Sequence, residues 1–196
     1  VSTTLLHDGP VTVTFTPGAA RRLVLDAPAS NGTVDGSLGA TLTAYDQYGN
    51  RATGEDRAVA LVATPRARVQ GWGVVTLAQG FRDLDIFSEQ AQTVRLSLVD
   101  PLNAGWDVSS TVSLTFSSGQ LHHFNVESAT GAARLVEKVN RSATIHCIAV
   151  DQYDNQVAGF ANVSAAAEIE PAPNGTGSAL DWSLTAGVGT LDLMLQ

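Results

Sequence analysis

The sequence predicts an all-β fold built from tandem immunoglobulin-like β-sandwiches, and three observations support this prediction. A five-residue motif, Asp46–Asn50 (DQYGN), returns almost unchanged as Asp151–Asn155 (DQYDN), 105 positions later. A period close to 100 residues is the size of an immunoglobulin-like domain. Segments around both copies alternate apolar and polar residues, which is typical of half-buried strands. Apart from residues 161–169, no stretch has a sustained helical period of apolar residues.

The similarity between the two copies extends well beyond the motif. Upstream of it, six positions recur at a constant offset of 101 residues: Val11, Val13, Phe15, Gly18, Leu23 and Leu25 match Val112, Leu114, Phe116, Gly119, Phe124 and Val126. Apolar residues also alternate along the segment that leads into each motif. They are Leu38, Ala40, Leu42 and Ala44 in the first copy and Ala143, Ile145, Cys147 and Ala149 in the second. Both copies therefore place their apolar side chains on one face of a strand.

The aligned segments predict three pieces of a repeat. Residues 1–17 resemble the last strand of a preceding unit, residues 18–117 a complete immunoglobulin-like domain, and residues 118–196 a domain that lacks its final strands. The simplest interpretation is a window on a longer chain. We expect successive units to lie end to end, with a linker at 117–122.

A sandwich without its last strands exposes an unpaired edge and an open core. Two sources for the missing strands are compatible with the sequence. The native protein supplies them downstream, or a neighbouring chain donates a strand, for which residues 1–16 are an available donor. Head-to-tail donation would build a filament, because such a contact does not close on itself.

Composition and charge are those of an extracellular β-rich module. Apolar residues make up 44% of the chain, charged residues only 15%, and the net charge is −8. Neither a basic cluster nor an apolar run of about 18 residues is present. These features argue against nucleic acid and anionic membranes as partners, and against membrane insertion within this sequence. We expect a location outside the cell or at its surface.

The residue patterns of catalysis and metal binding are missing from the sequence. No Gly-X-Ser-X-Gly elbow or phosphate-binding loop occurs, and the adjacent His122 and His123 have no nearby carboxylate or cysteine cluster. The one cysteine, Cys147, aligns with Leu42 and is expected to be a small buried side chain rather than a nucleophile. We therefore predict no catalytic residue, no cofactor and no metal site.

Four Asn-X-Ser/Thr sequons, a modest excess over chance, begin at Asn31, Asn140, Asn162 and Asn174. Asn31 and Asn174 lie in glycine-containing segments that are expected to be loops, where plain turn chemistry is the alternative explanation. Asn140 and Asn162 have no such alternative. Glycosylation at any of them would require a eukaryotic secretory origin.

The repeated motif is expected to form a tight turn at the end of a strand. The carboxylates of Asp46 and Asp151 are placed to accept hydrogen bonds from backbone N–H groups two or three residues on. Gly49 allows a positive φ, which Asp154 tolerates less readily. The predicted structural residues of the two turns are Asp46, Tyr48, Gly49, Asn50, Asp151, Tyr153, Asp154 and Asn155.

Calcium binding is the functional alternative for these oxygen-bearing turns. A calcium site takes roughly six or more oxygen ligands, and neither copy has the dense aspartate spacing that would supply them locally. We therefore favour an architectural turn over a metal site.

The segments Gly18–Leu25 and Leu42–Asn50 resemble bacterial immunoglobulin-like repeats of the invasin/intimin (Big-1) type. They are also similar to filamin-type repeats, which share the Asp-X-Tyr-Gly-Asn turn. The resemblance covers both units and implies rigid stalk or adhesion segments in which the turn is architectural. The sequons and the Ala/Gly-rich composition resemble those of algal cell-surface and ciliary glycoproteins that carry such repeats. Asp154 departs from the pattern, which puts the geometry of the second turn in question.

Three functions are compatible with this pattern. The first is a non-catalytic structural or spacer segment of a long extracellular or filament-forming glycoprotein, whose partners are neighbouring repeats of the same protein. The second is an adhesive module that binds a protein or glycan through loops or edge strands. The third is an accessory domain of an enzyme.

A spacer should place its unusual residues at the joints between units, whereas an adhesin should expose aromatic residues on loops. Trp72 and Trp106 lie in glycine-flanked settings. They are therefore candidates either for contact with a partner or for capping the ends of the sandwich.

Overall fold

The fold of the chain is all-β, as the sequence predicts. The computed structural model describes residues 12–128, 142–160, 164–168 and 179–194. Within these residues the chain forms fourteen strands and no helix. Ser164–Glu168, inside the one stretch with a helix-like pattern, is also a strand.

The first unit contains nine strands arranged in two sheets. In chain order they are β1 (Arg22–Asp26), β2 (Asn31–Thr33), β3 (Leu38–Tyr45), β4 (Ala58–Thr64), β5 (Val69–Gln70), β6 (Gly73–Thr76), β7 (Phe81–Ser88), β8 (Thr93–Val99) and β9 (Thr111–Ser117). One sheet has the order β1-β3-β7-β5 and the other the order β2-β9-β8-β4-β6. Neighbouring strands run antiparallel, except for β2 and β9, which are parallel.

The alternating sequence pattern explains why these two sheets pack face to face. Along β3 every second residue from Leu38 to Ala44 is buried, while the residues between them are more exposed. In the opposite sheet, alternate residues of β8 and β9 are buried in the same way, among them Phe116. The two apolar faces therefore share one core. Burial of each large apolar side chain contributes about 1.5–3 kcal/mol.

The second unit repeats the strand pairing of the first. Its strands are β10 (His123–Ser128), β11 (Ser142–Val150), β12 (Ser164–Glu168), β13 (Ala179–Thr185) and β14 (Val188–Met194), in the sheet order β10-β11-β14-β13-β12. β11 pairs with β10 on one side and β14 on the other, as β3 pairs with β1 and β7. The described residues of this unit form one sheet. Phe124 and Val126 of β10 are exposed, whereas their counterparts Leu23 and Leu25 in β1 are buried.

The two units also share the loop that leads into β7 and β14. Gly80 and Gly187 occupy equivalent positions and both have positive φ, 72° and 79°. Their carbonyls accept hydrogen bonds from the same position of β3 and β11, at 2.8 and 2.7 Å. A Cβ on either glycine would collide with a backbone carbonyl, that of Ala52 in the first unit and of Val157 in the second. Glycine is required by this combination of φ and close approach.

The described residues ahead of β1 form no strand. Val13 and Phe15 are 65% and 91% exposed, although their counterparts Leu114 and Phe116 are buried in β9. Leu114 and Phe116 are buried because β9 belongs to a sheet whose apolar face packs on the opposite sheet, and no described strand pairs with the leading segment. The assignment of residues 1–17 to a preceding unit, like the division of the chain after residue 117, stays a prediction, and most of 1–17 lies outside the described residues.

The close approach at Gly80 gives a test of this fold. Gly80→Ala is expected to lower the free energy of unfolding of the first unit by at least about 1 kcal/mol, because alanine is strained at positive φ and its Cβ meets a carbonyl. Gly39→Ala is the matched control, since a Cβ at Gly39 meets nothing within 4 Å. Urea unfolding followed by tryptophan fluorescence measures both variants. Equal stability of the two variants would contradict this account.

Candidate functional site

Each copy of the repeated motif forms a tight turn around one aspartate carboxylate. Asp46 follows β3 directly, is buried, and accepts the backbone N–H groups of Tyr48 and Asn50, both at 2.9 Å. The side-chain amide of Asn50 donates to the same carboxylate at 3.1 Å. So does the N–H of Gly18, at 2.9 Å, although Gly18 lies 28 residues earlier in the chain. Asp46 therefore closes its own turn and also fixes the segment by which the chain enters the first unit.

The second turn repeats this arrangement group for group. Asp151 accepts the backbone N–H groups of Tyr153 and Asn155 at 2.8 and 3.0 Å, and the Asn155 side-chain amide at 3.0 Å. The N–H of Gly119, which enters the second unit as Gly18 enters the first, donates to Asp151 at 2.8 Å. The recurrence of the motif is thus a recurrence of one hydrogen-bonded structure.

The aspartate that replaces glycine in the second copy does not alter the turn. Asp154 has a φ of 67°, close to the 83° of Gly49. In both turns the N–H at this position donates to the carbonyl of the first motif residue at 3.2 Å. Aspartate enters the left-handed region more readily than most other residues with a Cβ. The question that Asp154 raises about the second turn is thus answered by its φ and its hydrogen bond, which match those of Gly49.

The hydrogen bonds lower the pKa of both carboxylates. The largest influence on Asp46 is the bond from Gly18; burial opposes it, and the bonds from within the turn add to it, so that the pKa falls to about 2. For Asp151 the largest influence is burial, which raises the pKa, but the bonds from Gly119 and from the turn outweigh it. Hydrogen bonds to an ionised acceptor are stronger than those between neutral groups.

The donors around these carboxylates decide what the turns can bind. The groups pointing at Asp46 and Asp151 are N–H groups, which stabilise an anion and would repel a cation. Among the residues that the structure describes, no group of three or more His, Cys, Asp or Glu is placed to hold a metal ion. The turns are therefore built to organise backbone amides.

The second turn differs from the first in that it also contacts the neighbouring unit. The Asn155 side chain bridges two backbone groups of the β7–β8 loop: its Nδ2 donates to the Glu89 carbonyl at 2.8 Å, and its Oδ1 accepts the Ala91 N–H at 2.9 Å. The Tyr153 carbonyl accepts a hydrogen bond from Arg68 Nη1 at 3.1 Å. These bonds tie the second turn to one end of the first unit.

A second set of contacts surrounds Asp35, in the turn between β2 and β3. Its carboxylate accepts the backbone N–H of Gln120 at 2.7 Å and the side-chain amide of Gln152 at 3.3 Å. A Cβ at Gly119 would collide with the same carboxylate. Consecutive amides of the linker are therefore held by two different carboxylates, that of Asp151 in the second unit and that of Asp35 in the first. The joint falls within the linker predicted at 117–122.

The joint explains why the two motif tyrosines differ in exposure. Tyr153 is partly buried and packs against the core of the first unit. It lines a recess of about 180 Å³ together with Val34, Gln70, Phe87, Ser88 and Glu89. Tyr48, in the same turn geometry, is 79% exposed. Asn155 is likewise partly buried, whereas Asn50 is exposed.

The two turns lie at opposite ends of the first sandwich. β3 starts close to the Asp35 turn and ends immediately before Asp46. An eight-residue antiparallel strand spans about 25 Å. Gly18 and Gly119 are therefore separated by about the length of a strand, and the joint lies at the far end of the unit from the chain's entry. This placement is compatible with the predicted end-to-end order.

The two candidate contact tryptophans have different surroundings. Trp106 is only 6% exposed, and the Arg57 guanidinium lies 4.6 Å from its ring centroid. Of the two alternatives for Trp106, its burial in the core fits capping of the sandwich and not contact with a partner. Trp72 is 39% exposed, but its Nε1 donates to the Val69 carbonyl at 3.1 Å and Arg66 lies 5.0 Å from its ring centroid.

Of the four sequon asparagines, Asn31 lies in the described part of the chain. It begins strand β2 and pairs with Thr115, so the expectation of a loop at this site is wrong. The side chain is exposed on an edge strand, which leaves room for a glycan. The remaining three, Asn140, Asn162 and Asn174, lie outside the described residues.

The histidine pair lies beside the second turn, and the cysteine is buried in a strand. His122 Nδ1 and His123 Nδ1 are 3.0 Å apart, and His123 Nε2 lies 3.4 Å from Asp154 Oδ1. Both histidines therefore stand beside the second turn. Cys147 is buried in β11, and burial raises the pKa of its thiol. It is a small buried side chain, as its alignment predicts.

Comparison with solved structures identifies the fold. The structure of FdeC, a broadly conserved Escherichia coli adhesin, matches 90% of this chain with a TM-score of 0.50 and 16% sequence identity. This is the fold of bacterial immunoglobulin-like adhesin domains. Invasin, a bacterial integrin-binding protein, matches 93% of the chain with a TM-score of 0.48 and 16% identity. Domains 4–9 of the surface layer protein SbsC match 95% with a TM-score of 0.40 and 13% identity.

The resemblance to invasin-type immunoglobulin-like repeats is thus confirmed at the level of the fold. The chain spans 56% of the FdeC structure, 36% of the invasin structure and 32% of the SbsC structure. No protein-family model and no curated protein sequence matches it. The described residues contain no helix that could span a membrane.

Sequence reasoning found the turns but missed the surface on which the second turn docks. Glu89 and Ala91 contribute only backbone groups, which leave no trace in the sequence. Asp35 is one exposed acidic residue among many. The recurrence of Gly18 as Gly119, at the start of each unit, was the available signal that the entry segment is constrained.

The low pKa of Asp46 predicts a specific acid sensitivity. Since the folded pKa is about 2 and the ordinary value 3.8, the carboxylate stabilises the first unit above about pH 4, and this stabilisation is lost as the pH falls through about 2. Asp46→Asn should therefore be less stable than the unmodified protein at pH 7 and equally stable near pH 2. Asp26→Asn, at an exposed carboxylate of β1, is the control. Urea unfolding across this pH range measures the difference; a difference that does not depend on pH would refute the assignment.

Proposed function

We propose that this chain is a non-catalytic spacer segment of a long cell-surface protein, in which the repeated turn holds successive immunoglobulin-like units in a fixed relative orientation. The observation that carries the proposal is the Asn155 side chain, which pairs with both Glu89 and Ala91 of the preceding unit. A flexible tether would need no such contacts. A spacer needs them, because its reach depends on the angle at every joint.

The number and placement of the contacts favour a stiff joint. Five hydrogen bonds cross from the first unit to the linker and second turn. Each contributes about 0.5–1.5 kcal/mol, with the lower end applying to the exposed ones. Between domains of one chain, relative motion is the default unless such an interface opposes it. Here the contacts involve three separate parts of the first unit, namely Asp35, Arg68 and the β7–β8 loop, so they oppose such motion together.

The adhesive alternative finds less support in the described residues. A binding surface made of loops should offer aromatic side chains that are free to contact a partner. Trp106 is buried, and Trp72 is engaged by Val69 and Arg66 of its own surroundings. The exposed Tyr48 belongs to the turn whose second copy packs against a neighbouring unit.

A location at the cell surface is supported by three observations. The chain is rich in strands and poor in charged residues, at 15%. It carries four sequons, of which Asn31 is exposed on an edge strand. FdeC, which shares the fold, is an adhesin.

The proposal predicts that Asn155→Ala loosens the joint between the two units, with the three bonds of Asp35 and Arg68 left in place. Removal of the side-chain amide deletes both bonds to the β7–β8 loop. Asn50→Ala is a matched control, because Asn50 makes the equivalent bonds within its own turn but is exposed. By ¹⁵N relaxation, the unmodified chain and Asn50→Ala should show one rotational correlation time for both units, and Asn155→Ala two shorter ones. Two correlation times already in the unmodified chain would refute the spacer function.

Glycosylation of Asn31 is a second expected property of a eukaryotic surface protein. The exposed side chain predicts a mass shift at this residue after glycosidase treatment of protein from the native source. Peptide mass spectrometry measures it, with Asn125, which is exposed but not in a sequon, as the internal control. An unshifted Asn31 peptide would remove this argument for a secretory origin.

A further inference from the structure

We propose that the first turn, Gln47–Asn50, is a docking surface for the end of another immunoglobulin-like unit, formed in the same way as the joint around Asn155. The partner is defined by its chemistry: a sandwich end that offers a carboxylate, a backbone carbonyl with a nearby N–H, and core residues against which a tyrosine can pack. The inference rests on the proposed function, because it extends the same joint to the opposite end of the first unit.

The two turns present the same side chains on the same scaffold. Asp46 and Asp151 each bind the entry glycine and two turn amides at 2.8–3.0 Å. The two turns also match in backbone conformation at the position of Gly49 and Asp154, where φ is 83° and 67°. Side chains that leave this scaffold at equivalent positions therefore leave it in equivalent directions.

In the second turn, the equivalent side chains all contact the neighbouring unit. Gln152 donates to a carboxylate, Tyr153 packs against the core of a neighbouring unit, and Asn155 pairs with a carbonyl and an N–H two residues apart. Gln47, Tyr48 and Asn50 are the same residue types and are all exposed, whereas Tyr153 and Asn155 are partly buried and Gln152 stays exposed. The first turn thus displays together the three kinds of side chain that, in the second turn, contact the end of a sandwich.

The segment immediately before Gly18 repeats the apolar positions of β9. Val13 and Phe15 repeat the positions of Leu114 and Phe116, which are buried in β9 of the sandwich that precedes Gly119. Phe15 is 91% exposed, against 2% for Phe116. The segment therefore carries the apolar pattern of a last strand directly ahead of the turn. A unit completed by such a strand would present its end to Tyr48, as the first unit presents its end to Tyr153.

The structure also supplies a suitable partner end. The first unit carries Asp35, the Glu89 carbonyl and Ala91 N–H, and the core residues against which Tyr153 packs. A three-unit chain, with a copy of residues 18–118 joined to Gly18 in place of residues 1–17, brings a second such end to the first turn. The added copy contains a complete two-sheet sandwich with its own core.

The test compares the exposure of Tyr48 in the original and the three-unit chains. Relaxation enhancement of the Tyr48 ring protons by a soluble paramagnetic agent should fall severalfold, to the level of Tyr153, and the added unit should share one correlation time with its neighbour. Asn50→Ala should release the added unit in the three-unit chain while leaving the Asn155 joint intact. Tyr48→Ala is a second variant with the same expected result.

The outcomes separate this inference from the function on which it rests. An exposed Tyr48 and a freely tumbling added unit, beside an intact Asn155 joint, would overturn the docking surface alone. A loose Asn155 joint in the original chain would overturn the spacer function and the docking surface together. Dispersed amide signals from the added unit establish that it has folded in each case.

Discussion

The hydrogen bond from a glycine N–H to the carboxylate of the first motif residue is the interaction on which the architecture depends. It joins Gly18 to Asp46 across 28 residues and Gly119 to Asp151 across 32. Through it, the point where the chain enters a unit is fixed to the end of that unit's central strand. Without the carboxylate, the entry amide and two turn amides would lose their acceptor, and an unpaired buried N–H costs about 1–3 kcal/mol.

Because the entry point of a unit is fixed, the position of the preceding unit relative to it is constrained as well. Gly119 and Gln120 donate consecutive amides to Asp151 and Asp35, which belong to different units. The linker is therefore hydrogen-bonded to both units. Tyr153 and Asn155 then use the remaining surface of the turn to pack against and pair with the preceding sandwich. One short motif closes a loop, anchors a chain segment and forms part of a joint.

The sequence predicted what depends on periodicity and local backbone chemistry. The alternation from Leu38 to Ala44 predicted the central strand, and the repeated aspartates predicted the turns. It did not predict what depends on packing between distant segments. Trp106 is flanked by glycine, as a loop residue would be, yet it is buried beneath Arg57. Asn31 is in a glycine-containing segment, yet it pairs with β9. Asp154 replaces glycine, yet it keeps the turn, because the surrounding hydrogen bonds hold its φ.

The central claim is that the joint around Gly119 has one orientation. Residual dipolar couplings of the two units in the unmodified chain test it most directly, because they report how each unit is aligned in the same sample. A fixed joint predicts that one alignment tensor of one magnitude fits the couplings of residues 22–117 and of the described strands from His123 onward. Separate tensors of different magnitude, with the second unit more weakly aligned, would contradict the account.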